Sequence, residues 1–161
     1  MELVIGQNSY MTVAEADEIV TSNFISTSTE RKLWKSLDEN DKAVIIVSTT
    51  TKYDSDSMCY IGYKDDENQR LQFPRVLNNG QIIECPDKIK IGLIMQALKN
   101  LQTDSSEEAE LQLKGVKSFA DGSGAKIEFS ETSKDSVCSL NKDIWNLYFR
   151  DFSEIGKVIA I

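Results

Sequence analysis

Two prolines, Pro74 and Pro86, limit the secondary structure available to the middle of this 161-residue chain. Proline fixes its own φ, lacks a backbone N–H donor and moves the preceding residue out of the α-helical region. Since the sequence contains only these two prolines, each predicts a boundary between elements. The segment around them reads Phe73-Pro74-Arg75, then the turn sequence Asn78-Asn79-Gly80, then Cys85-Pro86-Asp87, where a long helix is expected to begin.

Helix-capping sequences predict three helices before Pro74. Thr12 and Glu15 have the spacing of a capping box, which predicts a helix from about residue 13 to 22. The same spacing at residues 27–30 and 36–39 predicts two further helix starts. Residues 43–47 suit a buried strand by propensity, but the cap and the acidic residues before them favour a helix to about Tyr53, and we expect the helix.

The pattern of apolar residues changes after the second proline. Helical spacing predicts a core helix from about residue 87 to 102, followed by an acidic linker over 103–110. Alternating residues on both sides of Asp121-Gly122-Ser123-Gly124 predict a β-hairpin or extended arm with a glycine-rich tip. A final helix is expected over about 139–149, before an apolar and β-branched tail over 155–161.

These elements predict a mainly α fold. The expected architecture is a small helical bundle with a β-hairpin or extended arm in the C-terminal half and an apolar C-terminal tail. We expect one domain overall, made of a helical domain (1–103), a linker and hairpin arm (104–138) and a C-terminal helix with its tail (139–161). A chain of this length can bury a core without disulfides or metals.

The composition argues against catalysis and against metal binding. Histidine, the commonest general base and metal ligand, is absent. Cys59, Cys85 and Cys138 are spaced too widely for a zinc site and predict reduced thiols in a cytoplasmic setting. We therefore expect no enzyme activity, no catalytic residues, no cofactor and no metal. We also expect no membrane helix and no secretory signal, because no apolar run has the required length and the N-terminus is not basic.

The formal net charge of −8 disfavours tight, free-standing DNA binding. Electrostatic capture of nucleic acid needs lysine and arginine clustered on one face. Here 18 basic residues are scattered among 26 acidic ones. A surface that repels DNA is compatible with this charge.

The order of several short motifs adds to these signals. The motifs are residues 8–17, Trp34 before an acidic-capped helix, Tyr60-Ile61-Gly62-Tyr63-Lys64, residues 69–75 with their Phe-Pro-Arg, and the helix start at residues 85–90. Their order resembles a family of small tailed-phage proteins often labelled DnaT-like single-stranded DNA-binding proteins, which look like head–tail connector (adaptor) proteins. The resemblance covers residues 8 to about 102 well and the remainder loosely. Family members typically carry Trp-Pro-Arg in place of Phe73-Pro74-Arg75 and an aliphatic residue in place of Cys85.

The resemblance implies a structural connector protein of the virion neck, made in the host cytoplasm. Such a protein forms a homo-oligomeric ring, twelve-fold like the portal, and binds the portal protein and the next neck or tail-completion protein. Double-stranded DNA passes through the ring without sequence-specific binding, and no membrane is involved. An acidic chain suits such a conduit, and an extended arm with an apolar tail suits contacts between neighbouring subunits.

Three parts of the chain are candidates for subunit or portal contacts. The residues are Tyr60, Tyr63, Phe73, Arg75, Asp121, Gly122, Ile155, Val158, Ile159 and Ile161. For the tail, packing on its own domain is an equal alternative to docking on a partner by strand addition. For Phe73 and Arg75, the alternative is a structural corner in which Phe73 fills the core and Arg75 pairs with a local carboxylate.

Two other functions stay open on the sequence. In the first, the chain binds single-stranded DNA, with aromatic residues stacked on bases beside Arg70 and Arg75; the candidate aromatic residues are Tyr60, Tyr63 and Phe73. In the second, it is a carboxylate-based enzyme, although no acidic pair shows a specific spacing.

Overall fold

The computed structural model of the chain describes residues 2–54, 59–104, 118–120, 126–128 and 141–153. Three helices come first: α1 (Val13–Asn23), α2 (Thr29–Ser36) and α3 (Glu39–Tyr53). Three short strands follow, β1 (Tyr63–Lys64), β2 (Arg75–Val76) and β3 (Ile82–Ile83), and then α4 (Asp87–Asp104). Strands β4 (Ser118–Ala120) and β5 (Lys126–Glu128) precede α5 (Lys142–Ile144), a π-helical turn (Trp145–Phe149) and a 3-10 turn (Arg150–Phe152). The mainly α fold class is confirmed.

The N-terminal helices begin where side chains satisfy their first free amides. The capping box of α1 is present as predicted: Thr12 Oγ1 accepts from the Glu15 amide and the Glu15 carboxylate accepts from the Thr12 amide. The other two caps lie one or two residues later than predicted. Ser28, not Thr27, caps α2, and Asp38, not Ser36, caps α3. Ser36 instead donates to the Leu33 carbonyl.

Residues 43–47 lie within α3, so the helix interpretation is confirmed and the strand alternative is wrong. The β-strand propensity of residues 43–47 does not decide their structure, because Ala43 and Ile46 pack on the buried face of the helix. Helix α4 starts directly after Pro86, as predicted, and continues to Asp104, beyond the expected end. The predicted hairpin is confirmed, with Ser118–Ala120 pairing antiparallel to Lys126–Glu128.

Several predictions fall wholly or partly outside the described residues. They are the glycine-rich tip, the linker after Asp104, the first residues of the final helix and the tail over 155–161. The described part of the final helix begins after Asn141, whose side chain caps the amides of Asp143 and Ile144.

Inter-residue contacts divide the chain into two units, Met1–Leu98 with Leu140–Ile161, and Lys99–Ser139. The first unit contains one hydrophobic core, which α1, α3 and α4 supply with aliphatic side chains. Its largest fully buried side chains include Trp34, Phe73 and Phe149. No described helix has both the length and the apolar character needed to cross a membrane.

Candidate nucleic-acid interface

A three-stranded antiparallel sheet, which the sequence did not predict, is formed by one strand before Pro74 and two strands between Pro74 and Pro86. The strand order is β1-β2-β3. Tyr63 pairs with Val76 and Val76 with Ile82, while Lys64 pairs with Arg75 and Arg75 with Ile83. Because directly paired residues point to the same face of a sheet, each face carries one row of three side chains.

The two rows differ in exposure. Tyr63, Val76 and Ile82, hereafter the outer row, lie on the solvent side, where Tyr63 is 59% exposed and Ile82 is 55% exposed. On the other face Arg75 is buried, and Lys64 and Ile83 are half-buried. The exposed Tyr63 ring and the exposed Ile82 side chain, with the half-buried Val76 between them, are therefore held on hydrogen-bonded backbone, not on a free loop.

On the buried face of the sheet, the Arg75 guanidinium donates hydrogen bonds to the segment before β1 and to Gln72. Its Nε donates to the Ile61 carbonyl at 2.8 Å, and Nη2 donates to the carbonyls of Tyr60 at 3.1 Å and Gly62 at 2.6 Å. Its Nη1 donates to Gln72, at 2.9 Å to Oε1 and 3.4 Å to the carbonyl. The planar fork of arginine suits such a set of convergent acceptors. The side chain thus fixes the backbone that leads into β1.

Gly62 is required where β1 approaches β2. Its φ is +74°, and a Cβ at this position would lie 2.3 Å from the Val76 carbonyl oxygen. A larger residue would therefore be strained in its backbone and would displace β1 from β2.

Aromatic packing joins the sheet to the core. The Phe73 ring makes edge-to-face contacts with Tyr60 at 5.0 Å and Tyr10 at 6.1 Å between centroids. The Tyr10 hydroxyl accepts from the Phe73 amide at 3.1 Å and donates to Asp54 Oδ1 at 2.6 Å. Asp54 Oδ2 accepts from the Gln72 amide at 2.8 Å. These bonds tie residues 72 and 73 to the end of α3.

The two ionisable groups of this network both have raised pKa values. Burial raises the pKa of the Tyr10 hydroxyl, and the neighbouring Asp54 charge raises it further, so Tyr10 remains a hydrogen-bond donor at neutral pH. Burial also raises the pKa of the Asp54 carboxyl, against the opposing hydrogen bonds from Tyr10 and Gln72 and the charges of Lys64 and Arg75.

Polar side chains are exposed in the segments that adjoin the three strands. In the β2–β3 turn, Asn78 and Gln81 are exposed, and Asn79 Oδ1 accepts from the Gln81 amide at 3.0 Å. At the other edge, the Ile61 amide donates to the Phe152 carbonyl at 2.8 Å, which brings the segment carrying the exposed Arg150 beside the one carrying Tyr63. Amide and guanidinium groups at these positions can donate to bases and phosphates.

The β1–β2 loop adds one exposed cation, Arg70, and three exposed acids, Asp65, Asp66 and Glu67. Asp66 Oδ1 accepts from the Asn68 amide at 2.8 Å, so this carboxylate is engaged within the loop. Lys64 is half-buried, with Nζ 3.5 Å from the Gln69 carbonyl oxygen. The surroundings of the outer row are therefore mixed in charge and favour stacking over electrostatic attraction.

Two grooves elsewhere on the chain fit nucleic acid less well than the outer row. A groove of about 340 Å³ beside α1 and α4 is lined by the acids Glu15, Glu18 and Asp87, with Lys90 as its lining cation. A second groove, of about 420 Å³, is lined by Leu3, Val13, Glu39, Asn40 and Ala43. Neither lining includes an aromatic ring. Across the described ranges, no three His, Cys, Asp or Glu side chains are grouped as metal ligands would be.

The ten site residues predicted from the sequence differ in burial, and six of them lie outside the described residues. Tyr60, Phe73 and Arg75 are buried, as in the corner alternative, and among the described residues Arg75 donates to Gln72 and to backbone carbonyls. Tyr63 is exposed. Asp121, Gly122, Ile155, Val158, Ile159 and Ile161 lie outside the described residues. The subunit-contact role of all ten stays a prediction.

Val76 and Ile82 are the members of the outer row that sequence reasoning missed. The signal for them was weak, because each strand has only two residues and cannot show an alternating pattern.

One comparison with known proteins found a match. A family model described as "Putative DnaT-like ssDNA binding protein" matches residues 2–123. Neither the search of curated proteins nor the search of solved structures found a match.

This match contradicts our main functional prediction. The connector interpretation, with its portal-bound ring through which double-stranded DNA passes unbound, is wrong on this finding, because the matched family is described by single-stranded DNA binding. The alternative function is the one that the match supports. The resemblance identified the family correctly but carried the wrong function with it.

Proposed function

The chain belongs to the DnaT-like single-stranded DNA-binding family, and on that premise we propose that it binds single-stranded DNA through the outer row of its three-stranded sheet. The proposed activity is binding without catalysis. A base stacks on the Tyr63 ring, and Val76 and Ile82 extend the apolar surface across the sheet.

The observation that carries this proposal is the exposure of Tyr63, at 59%, on a hydrogen-bonded strand. Exposed aromatic rings bind single strands because every base has a π-face, so stacking tolerates any sequence. The other two predicted stacking residues, Tyr60 and Phe73, are buried and support the sheet instead. Ring exposure thus distinguishes one candidate from the three that the sequence offered.

The groups bordering the outer row suit the rest of a nucleotide. Arg150 and Arg70 are exposed cations that can contact phosphate, and the amides of Asn78 and Gln81 can hydrogen-bond to base edges. With so few cations and a net charge of −8, we expect stacking to supply most of the affinity. Phosphate contacts contribute most at low salt.

The proposal is tested by titrating a fluorescently labelled thymidine oligonucleotide with the full chain at low salt. Tyr63→Ala is expected to lower the affinity roughly 5- to 150-fold, because loss of one stacked base costs about 1–3 kcal/mol. Tyr63→Phe keeps the ring and should bind nearly as the wild type does.

Ile25→Ala is the matched control, since Ile25 is an apolar side chain that is 74% exposed in the connection between α1 and α2. It should leave the affinity unchanged. Absence of wild-type binding at low salt, or equal affinities for the wild type and Tyr63→Ala, would overturn the proposal.

A further inference from the structure

We propose that Arg75 is a positioning residue for DNA binding: its guanidinium holds residues 60–62 so that the Tyr63 ring is presented to a base. The inference rests on the proposed function of the outer row and assigns to Arg75 no contact with DNA. Arg75 is 7% exposed, so its own charge is not available to a phosphate.

The guanidinium binds three consecutive carbonyls immediately before Tyr63. Those of Tyr60, Ile61 and Gly62 accept from Nη2 and Nε at 2.6–3.1 Å. Consecutive carbonyls of an extended chain point in alternate directions, so their convergence on one cation requires a bent backbone. The positive φ of Gly62, +74°, is part of that bend. Arg75 therefore determines the direction in which the chain enters β1.

Among the described residues, three contacts besides the Arg75 guanidinium hold the chain before Tyr63: the pairing of Tyr60 with Ser153, the Tyr60–Phe73 ring contact and one hydrogen bond of Ile61. Strand β1 has two residues, paired with Val76 and Arg75 of β2. A strand pair this short is marginal without further support. Before it, the Ile61 amide donates to the Phe152 carbonyl, and the carbonyls of residues 60–62 bind the guanidinium. Loss of the Arg75 guanidinium would remove the donors bound by the carbonyls of residues 60–62, and these peptide groups orient the Tyr63 backbone.

The fork is itself anchored to the helical core. Gln72 Oε1 accepts from Nη1 at 2.9 Å, and the Gln72 amide donates to Asp54 Oδ2 at 2.8 Å. Asp54 follows α3 directly. The hydrogen bonds thus run from the end of α3 through Gln72 and Arg75 to the residue before Tyr63.

Lysine cannot replace arginine in this arrangement. The guanidinium offers five N–H donors in a plane, whereas an ammonium offers three around a single nitrogen. Arg75→Lys keeps the charge but cannot reach three carbonyls and Gln72 at once. We therefore expect a lower affinity for DNA from a variant of unchanged charge.

A double-mutant cycle tests the inference. Oligonucleotide affinity is measured at low salt for the wild type, Arg75→Lys, Tyr63→Ala and the double variant, with circular dichroism to verify folding. If Arg75 acts through Tyr63, Arg75→Lys weakens binding when Tyr63 is present and has little further effect in the Tyr63→Ala background. The expected coupling is roughly 2- to 150-fold. Equal effects of Arg75→Lys on affinity in both backgrounds would overturn the positioning role, because a general loss of structure lowers the affinity whether or not Tyr63 is present.

If Arg75→Lys does not fold, a second variant tests the positioning role of Arg75. Gln72→Met nearly keeps the side-chain volume and removes the Oε1 acceptor of the Arg75 guanidinium together with the Nε2 donor, and the same cycle with Tyr63→Ala should again show coupling. Tyr60→Phe is the control, because the Tyr60 hydroxyl is buried with no hydrogen-bond partner in the described part of the chain while its carbonyl is retained. It should bind as the wild type does.

The outcomes separate the two proposals. Binding that depends on Tyr63 without coupling to residue 75 or 72 overturns the positioning role alone. Absence of binding, or binding independent of Tyr63, overturns the proposed function and the positioning role together.

Discussion

Asp54 is the residue whose ionisation bears most directly on the sheet. Its carboxyl group accepts hydrogen bonds from the Tyr10 hydroxyl and from the Gln72 backbone amide, and the Gln72 side-chain Oε1 accepts in turn from the Arg75 guanidinium. Burial raises its pKa above the ordinary value despite these bonds. The folded chain therefore binds a proton at this group more tightly than the unfolded chain does.

The raised pKa of Asp54 determines how the free energy of unfolding changes with pH. Stability from a raised pKa is fully present below the unfolded value of about 3.9 and is lost as the pH rises through the folded pKa. We expect the free energy of unfolding of the wild type, relative to that of Asp54→Asn, to fall over this window and then become constant. Urea denaturation of both proteins across the acidic range measures the difference. A difference that rises with pH would contradict the raised pKa.

The sequence identified the aromatic candidates of the site but did not distinguish buried rings from exposed ones. Tyr60, Tyr63 and Phe73 are all large aromatic residues, and nothing in their local sequence separates a core ring from an exposed one. Their burial depends on contacts with residues distant in the chain, such as Tyr10. The same limit applies to Arg75, whose acceptors are mostly backbone carbonyls and have no sequence signature.

Among the helices, Asp17 connects α1 to α2 and α3. Its Oδ1 accepts from Trp34 Nε1 at 2.6 Å and from Lys42 Nζ at 2.8 Å, and Lys42 Nζ lies 5.7 Å from the centroid of the Trp34 ring. Burial raises the pKa of the Asp17 carboxyl, but the hydrogen bonds from Lys42 and Trp34 and the charge of Lys42 together lower it by more, so its pKa lies below the ordinary value.

Asp17→Ala is expected to lower the free energy of unfolding by about 1–3 kcal/mol, because the buried indole N–H of Trp34 loses its acceptor. Asp17→Asn keeps a side-chain oxygen for the indole and should cost less. Since the Asp17 side chain is 46% exposed, solvent screening makes the Lys42 ion pair the smaller contribution. Urea denaturation measures both variants.

Glu18→Ala, an exposed change on the same helix, is the control and should be close to neutral. Equal stabilities for Asp17→Ala and Glu18→Ala would show that Asp17 does not connect the helices.

At the level of elements, the helices were predictable and the three-stranded sheet was not. A capping box such as Thr12 with Glu15 is complete within four residues, so the sequence carries all of its information. The ambiguous segment 43–47 was resolved by its cap, which is also local. Strands of two residues have no period to detect, and their pairing depends on Arg75 and Gly62 from opposite sides of a loop.

For the whole molecule, the acid excess and the family match point in different directions. A net charge of −8 repels DNA at long range and agreed with the connector prediction, which came from the resemblance and which the family match contradicts. The two observations are compatible if affinity is local. Composition averages over all surfaces, whereas the proposed binding depends on the outer row with its exposed Tyr63 ring, and only the folded structure identifies that row.

The central claim, that single-stranded DNA binds the outer row, is tested most directly by NMR of the full chain with labelled isoleucine and valine methyl groups. Ile82 and Val76 belong to the outer row, while Ile25 and Val44 are exposed elsewhere. On addition of a thymidine oligonucleotide at low salt, we predict that the Ile82 and Val76 signals shift and that those of Ile25 and Val44 do not. Shifts confined to Ile25 or Val44, or no shifts at saturating oligonucleotide, would contradict the claim.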